Sequence, residues 1–218
     1  MPIDVENYEG ALGANLGKSG SYVISQRRVV NICNTKDFQE IQEFDVLEQG
    51  RIDDDEIHIL YMAASNCQSM IGVLLGKDLQ RGRIDVTHLQ VYECKAGSKK
   101  FSKKKSMLFD FDEACREFVF SNGSGDELLF FTKDELVLFN YLTNAKTTMY
   151  KFENPLKSQP LFGKFNDEQS QFIVTSLNDV LFVDMVKHEQ TDLDDQEGIE
   201  GIQDIFYFDN QFFILANK

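Results

Sequence analysis

Gly17-Lys18-Ser19 is the first place where residue types invite chemistry, because a phosphate-cradling loop ends in Gly-Lys-Ser or Gly-Lys-Thr. That loop needs its leading glycine at position 12, which is Leu12, and Gly13 lies one residue too close. Ser21 to Val30 reads as strand, so no helix N-terminus faces a phosphate, and the segment reads as a hairpin turn. The acidic run Asp192, Asp194, Asp195, Glu197 and Glu200 has the oxygen ligands calcium prefers. An EF-hand loop begun at Asp192 would need glycine where Glu197 stands, so a solvated loop is the reading. Asp53-Asp54-Asp55-Glu56 reads as a solvated connector. His58, His88 and His188 are 30 and 100 positions apart and match no metal-ligand spacing. Arg116 beside Cys115 would lower the thiol pKa, but no base or orienting group accompanies them. Gly123-Ser124-Gly125 lacks the spacing of a nucleophile elbow and reads as a loop between strands. The expectation is a chain that is not an enzyme, with no catalytic, cofactor or metal-binding residues.

Six lysines in eleven positions, Lys95, Lys99, Lys100, Lys103, Lys104 and Lys105, form a basic patch on an acidic chain. Such a loop can dock an acidic protein surface, a filament or an anionic headgroup. Lysines also guard an exposed strand edge against pairing with another chain. Phe101 is the one aromatic among them, too few to stack single-stranded nucleic acid.

The formal charge is −14, from 36 acidic and 22 basic residues, which repels phosphate backbones and argues against nucleic-acid binding. Cys33, Cys67, Cys94 and Cys115 contain no CxxC pair and read as reduced thiols. Asn122-Gly123-Ser124 fits a glycosylation triplet but reads as a turn. Met1 to Gly10 is polar and acidic, unlike a signal peptide, and no apolar run is long enough to span a membrane. A soluble, cytoplasmic protein is expected, with cytoskeletal or nuclear placement left open.

Positioning any of these residues falls to strands. Short blocks such as Leu128 to Phe131, Leu136 to Phe139, Phe172 to Val174, Val180 to Val183 and Phe212 to Leu215 are rich in β-branched and aromatic types. They are continuous rather than alternating, so both strand faces are buried. Thr132 to Glu135 and Ser176 to Asp179 are too short for crossover helices and read as hairpin loops. Antiparallel sheets stacked on sheets follow, with strand above about 40% and helix below about 15%. Phe130, Leu138, Phe172 and Phe182 are the expected core. Gly76 to Gly82 reads as a loop. Asp37 to Gln49 fits a helix or a strand, with strand slightly favoured.

The blocks repeat. Tyr22, Met70, Leu128, Phe172 and Phe212 occupy equivalent places at spacings of 48, 58, 44 and 40. Cys33-Asn34, Tyr92-Glu93, Phe139-Asn140 and Val183-Asp184 each put an acid or amide after an apolar residue at the end of a strand. In this the chain resembles the WD40 β-propeller repeat family, whose blades carry Trp-Asp there. The likeness spans nearly the whole chain, yet there is no Trp and no Gly-His dipeptide. Asp134 and Asp179 fall where that family places a structural Asp. The fold class expected is all-β, a propeller-like array of four-stranded antiparallel blades, about four and a half in number. Approximate blade bounds are 8–50, 56–111, 115–155, 158–199 and an incomplete 202–218, and a β-sandwich is the alternative. Three readings of the half blade stand: a piece of a longer chain, an open array completed by a partner, or closure by Ile3 to Ala11. The first is favoured, because half a Phe-rich blade leaves an unpaired edge.

The resemblance implies a non-catalytic scaffold holding other proteins in a multi-subunit complex. The alternative is a regulatory or substrate-recognition propeller of a larger enzyme, such as a kinase or ligase.

Overall fold

The computed structural model describes residues 12–15, 21–34, 40–54, 56–65, 69–78, 84–96, 98, 100–109, 117–122, 125–177, 179–193 and 200–217. The structure is 63% strand, and the described residues hold one short helix. The expectation of an all-β chain of antiparallel four-stranded sheets therefore holds. Gly17-Lys18-Ser19, Ile3 to Ala11, Cys67, Cys115 and Arg116 lie outside the described residues.

The strands fall into sheets in the order of the chain. The first sheet is β1 (Leu12–Asn15), β2 (Ser21–Gln26), β3 (Val29–Asn34) and β4 (Glu40–Asp45). The second is β5 (His58–Ala64), β6 (Met70–Asp78), β7 (Ile84–Cys94) and β8 (Phe101–Leu108). The third is β9 (Phe118–Phe120), β10 (Glu127–Phe131), β11 (Glu135–Asn140) and β12 (Ala145–Lys151). The fourth is β13 (Phe162–Phe165), β14 (Gln171–Thr175), β15 (Val180–Asp184) and β16 (Glu189–Asp192). A hairpin of β17 (Glu200–Phe208) and β18 (Gln211–Asn217) ends the series. Every strand pairs antiparallel with its neighbour in sequence. The chain divides into two compact units, 1–110 with the first two sheets and 111–218 with the rest.

In all four large sheets a backbone hydrogen bond joins the end of the fourth strand to the third. In three of them the residue just past the fourth strand donates its amide to the start of the third, Val46 to Arg28, Phe152 to Asp134 and Leu193 to Val180, while in the second sheet Phe109 donates to Thr87, three residues inside β7, all at 2.8–2.9 Å. The expected hairpin loops are confirmed, with Thr132 donating to the Glu135 carbonyl and Ser176 to that of Asp179.

Two local readings are corrected. β4 ends at Asp45, and α1 (Val46–Gly50) follows. The Asp45 carboxylate accepts the Leu47 and Glu48 amides at 2.8 and 3.3 Å, and this N-cap turns an extended chain into one helical turn. Arg51, at φ 57°, ends it in the left-handed conformation. The second correction is at Gly76, which is not loop: β6 runs through it to Asp78, and Gly76 pairs with Val86 beside a bulge. A Cβ there would lie 2.1 Å from the Asp85 carbonyl, so glycine serves a close approach instead of a turn.

Each unit has its own core. In 1–110, Val23, Val30, Ile32, Phe44 and Val46 pack with Ile71, Val73, Leu75 and Tyr92. In 111–218, Phe172 is the hub, with ring centroids 5.2 Å from Phe131 and 5.4 Å from Phe165. Phe130 sits on the opposite face of β10 among Phe118 and Phe139, so that strand is buried on both faces as its continuous apolar run predicts. Phe130 and Phe172 are fully buried. Leu138 and Phe182 are only partly buried and pack at the rims of their clusters.

Candidate functional site

The lysine patch is split between a turn and an edge. Lys95 and Lys100 are exposed on the β7–β8 connection, where Ser98 Oγ accepts the Lys100 amide at 3.0 Å; Lys99 lies outside the described residues. Lys103, Lys104 and Lys105 belong to β8, the outer strand of its sheet. Lys103 Nζ donates to the Gln49 carbonyl in the last turn of α1, where a cation meets the negative end of the helix. Lys104 pairs with Glu93 at 3.5 Å.

The acidic stretch after α1 lies at the surface, as a solvated connector does, and carries ion pairs. Lys77 reaches Asp54 at 2.5 Å and Glu56 at 3.2 Å, and Asp54 accepts the Glu56 amide. The Lys77 contact holds the Asp54 carboxyl below the usual range. Asp192 ends β16 and Glu200 begins β17, while Asp194, Asp195 and Glu197 lie outside the described residues. The histidines lie apart. His58 opens β5; His88 lies in β7 beside the Thr87 hydroxyl at 2.9 Å; His188 sits exposed in the β15–β16 turn at φ 56°. Burial lowers the His88 pKa. Burial, with Glu40 adding to it, raises the Cys33 thiol to about 11, far from a reactive thiolate. Among the described residues no three His, Cys, Asp or Glu side chains cluster to hold a metal ion.

Polar side chains instead join sheets. Gln42 of β4 pairs with the Phe101 backbone of β8 in both directions: its Nε2 donates to the carbonyl at 2.9 Å and its Oε1 accepts the amide at 2.7 Å. Gln90, fully buried in β7, donates to the Val46 carbonyl at 3.0 Å and accepts the Tyr92 hydroxyl. This seats α1 on the second sheet.

In 111–218 the joints are turns. Gln169 donates to the Phe120 carbonyl at 2.7 Å and accepts the Asn122 amide at 2.8 Å, tying the β13–β14 turn to the end of β9. Asp179 is buried in the β14–β15 turn. It accepts the Ser176 hydroxyl and the Lys157 amide, both at 2.6 Å, and pairs with Lys157 Nζ at 3.1 Å. Burial works against its ionised form, but these donors outweigh it and hold the carboxyl below the usual range. Asp134, at the equivalent turn, is exposed and uses its backbone carbonyl instead.

The pairs of an apolar residue with an acid or amide end β3, β11 and β15, and Tyr92-Glu93 lies one residue before the end of β7. Cys33, Tyr92, Phe139 and Val183 are all buried. Asn140 Oδ1 accepts the Leu142 and Thr143 amides, and Asp184 Oδ1 accepts those of Val186 and Lys187, at 3.0–3.1 Å. A short side-chain acceptor thus shapes the turn into the fourth strand.

One titratable group escaped the sequence reading. Glu117 precedes β9, and its Oε2 accepts the Gly163 amide of β13 at 3.4 Å. Burial raises its pKa to about 7; that hydrogen bond and Lys164 oppose the rise, and Asp204 of β17 adds to it. Gly163 is pressed from its other side, since a Cβ there would lie 2.0 Å from the Phe131 ring. The local signal was a lone glutamate before Phe118-Val119-Phe120, which does not reveal a partner 46 residues away. No protein-family model matches the chain, and a search of curated proteins finds no match either.

Proposed function

We propose that the chain is a non-catalytic interaction scaffold, a WD40-like array of propeller blades that works within a larger intracellular assembly. The observation that carries the reading is the repeated sheet plan. Four meanders follow one strand order, three of them closing with the same backbone contact, and two pairs of first strands lie together, β1 against β5 and β13 against β17. Radial stacking requires this, because the narrow end of each wedge sits nearest the axis. Support for the role comes from the polar side chains, which are used in joining sheets and turns. Within each unit that ties neighbouring sheets together and leaves outer surfaces for partners. The exposed Lys95 and Lys100 turn is one such surface, suited to an acidic protein.

A scaffold bridges. Affinity purification of the full chain with mass spectrometry should recover at least two proteins that associate with each other only when the chain is present. Recovery of a turnover activity with no bridged pair would overturn the reading.

A further inference from the structure

We propose that Ser102 of β8 is a phosphorylation site for a protein kinase that selects basic sequences, and that its phosphate offsets the lysines around it. The site stands on β8 alone; a partner set free by the modification would rest on the scaffold reading.

A kinase that selects basic sequences lines its substrate cleft with acids, which meet lysines two and three positions before the acceptor. Two serines have that spacing. Ser102 follows Lys99 and Lys100, and Ser106 follows Lys103 and Lys104. Ser102 is also followed directly by Lys103, Lys104 and Lys105, so cations flank it on both sides. On a chain of charge −14 this segment is where an acidic cleft is attracted instead of repelled.

The structure separates the two serines. Ser102 is exposed, and its hydroxyl donates to the Glu93 carbonyl over 3.4 Å, a long contact open to solvent. Ser106 is half-buried and sits directly across the ladder from the fully buried Gln90. Ser98, in the preceding turn, is exposed but has Ala96 two positions before it. Its Oγ is also committed to Lys100, donating to the carbonyl at 3.1 Å and accepting the amide at 3.0 Å.

A kinase cleft takes its substrate as extended chain, and β8 is an extended outer strand. The register of β8 on β7 shifts just past Lys103, so only Cys94–Phe101, Glu93–Ser102 and Tyr92–Lys103 precede the break. Opening those three pairs frees Ser102 and leaves the rest of β8 in its ladder. Gln42 holds this end shut through the Phe101 amide and carbonyl. The Ser102 hydroxyl then attacks the γ-phosphorus of ATP. An Oγ–P bond forms, the bond from that phosphorus to the bridging oxygen breaks, ADP leaves with the electron pair, and the serine proton passes to the kinase's base. The product carries about two negative charges, directly across from Glu93. Lys104 is shared between them, since its ammonium already lies 3.5 Å from Glu93.

The full folded chain, incubated with ATP and the catalytic subunit of a kinase selective for basic residues, should take up one phosphate, which tandem mass spectrometry should place on Ser102. Ser102→Ala should abolish uptake with an unchanged melting curve. Lys99→Gln/Lys100→Gln should slow it by about tenfold or more. Gln42→Ala should speed it, which charge alone does not foresee. No uptake by the folded chain overturns the proposal, as does phosphate on Ser98 or Ser106, a rate indifferent to Lys99 and Lys100, or a Gln42→Ala chain that is no faster.

Discussion

Glu117 shows what burial does to one carboxyl. Its folded pKa of about 7 stands above the ordinary 4.5, so between those values the folded chain holds a proton that the unfolded chain has released. Its contribution to stability is therefore fully present below about pH 4.5 and is lost as pH rises through about 7. Glu117→Gln keeps an oxygen for the Gly163 amide and removes the charge. It should raise stability at pH 8 by up to about 3 kcal/mol, the size of such a pKa difference, with the gain shrinking toward pH 5. Denaturant melts of both proteins at the two pH values check this, and a pH-independent difference would reject it. Asp179 has the opposite sign: its depressed pKa makes its contribution present above the unfolded value, and it is lost only as pH falls through the folded one. The two carboxyls were unequally legible. Asp179 falls in a turn that the repeat alignment located, whereas the burial of Glu117 depends on a backbone amide from another sheet.

At the scale of elements, continuous apolar runs were enough to place β10, β11, β14 and β15, because a strand buried on both faces has no polar positions to spare. The misread places were set by neighbours distant in sequence. Gly76 resembles a turn residue, yet it lies in a ladder against the Asp85 carbonyl. α1 starts where Asp45 finds amides to cap, which the apolar pattern of Asp37 to Gln49 does not specify. The lysines of β8 mark an outer strand, and the prediction at this scale concerns that edge. Changing Lys103, Lys104 and Lys105 to Gln should move stability by less than about 0.5 kcal/mol, since β8 keeps its ladder with β7. It should also produce sedimenting species larger than those of the wild type. Unaltered sedimentation would show that the edge is protected by something other than charge.

Across the whole molecule, the repeat spacings foretold how many sheets there are but not which strands meet between them. The contacts of β1 with β5 and β13 with β17 arise from the third dimension, which a period in sequence does not contain. Within 111–218, Phe172 is the residue on which the packing converges. Phe172→Ala removes the hub ring from 111–218 and should cost about 3–5 kcal/mol. Hydrogen exchange should accelerate throughout β10 to β16, and unchanged protection of those strands would show that Phe172 is not the hub of their core. The strictly sequential pairing of the strands has a kinetic consequence as well. Among the described residues no ladder waits for a distant segment, so contact order within each sheet is low and loop-closure entropy is small. During synthesis each described meander has all its ladder partners in hand before the next is translated, and the nascent chain can fold vectorially, one sheet at a time.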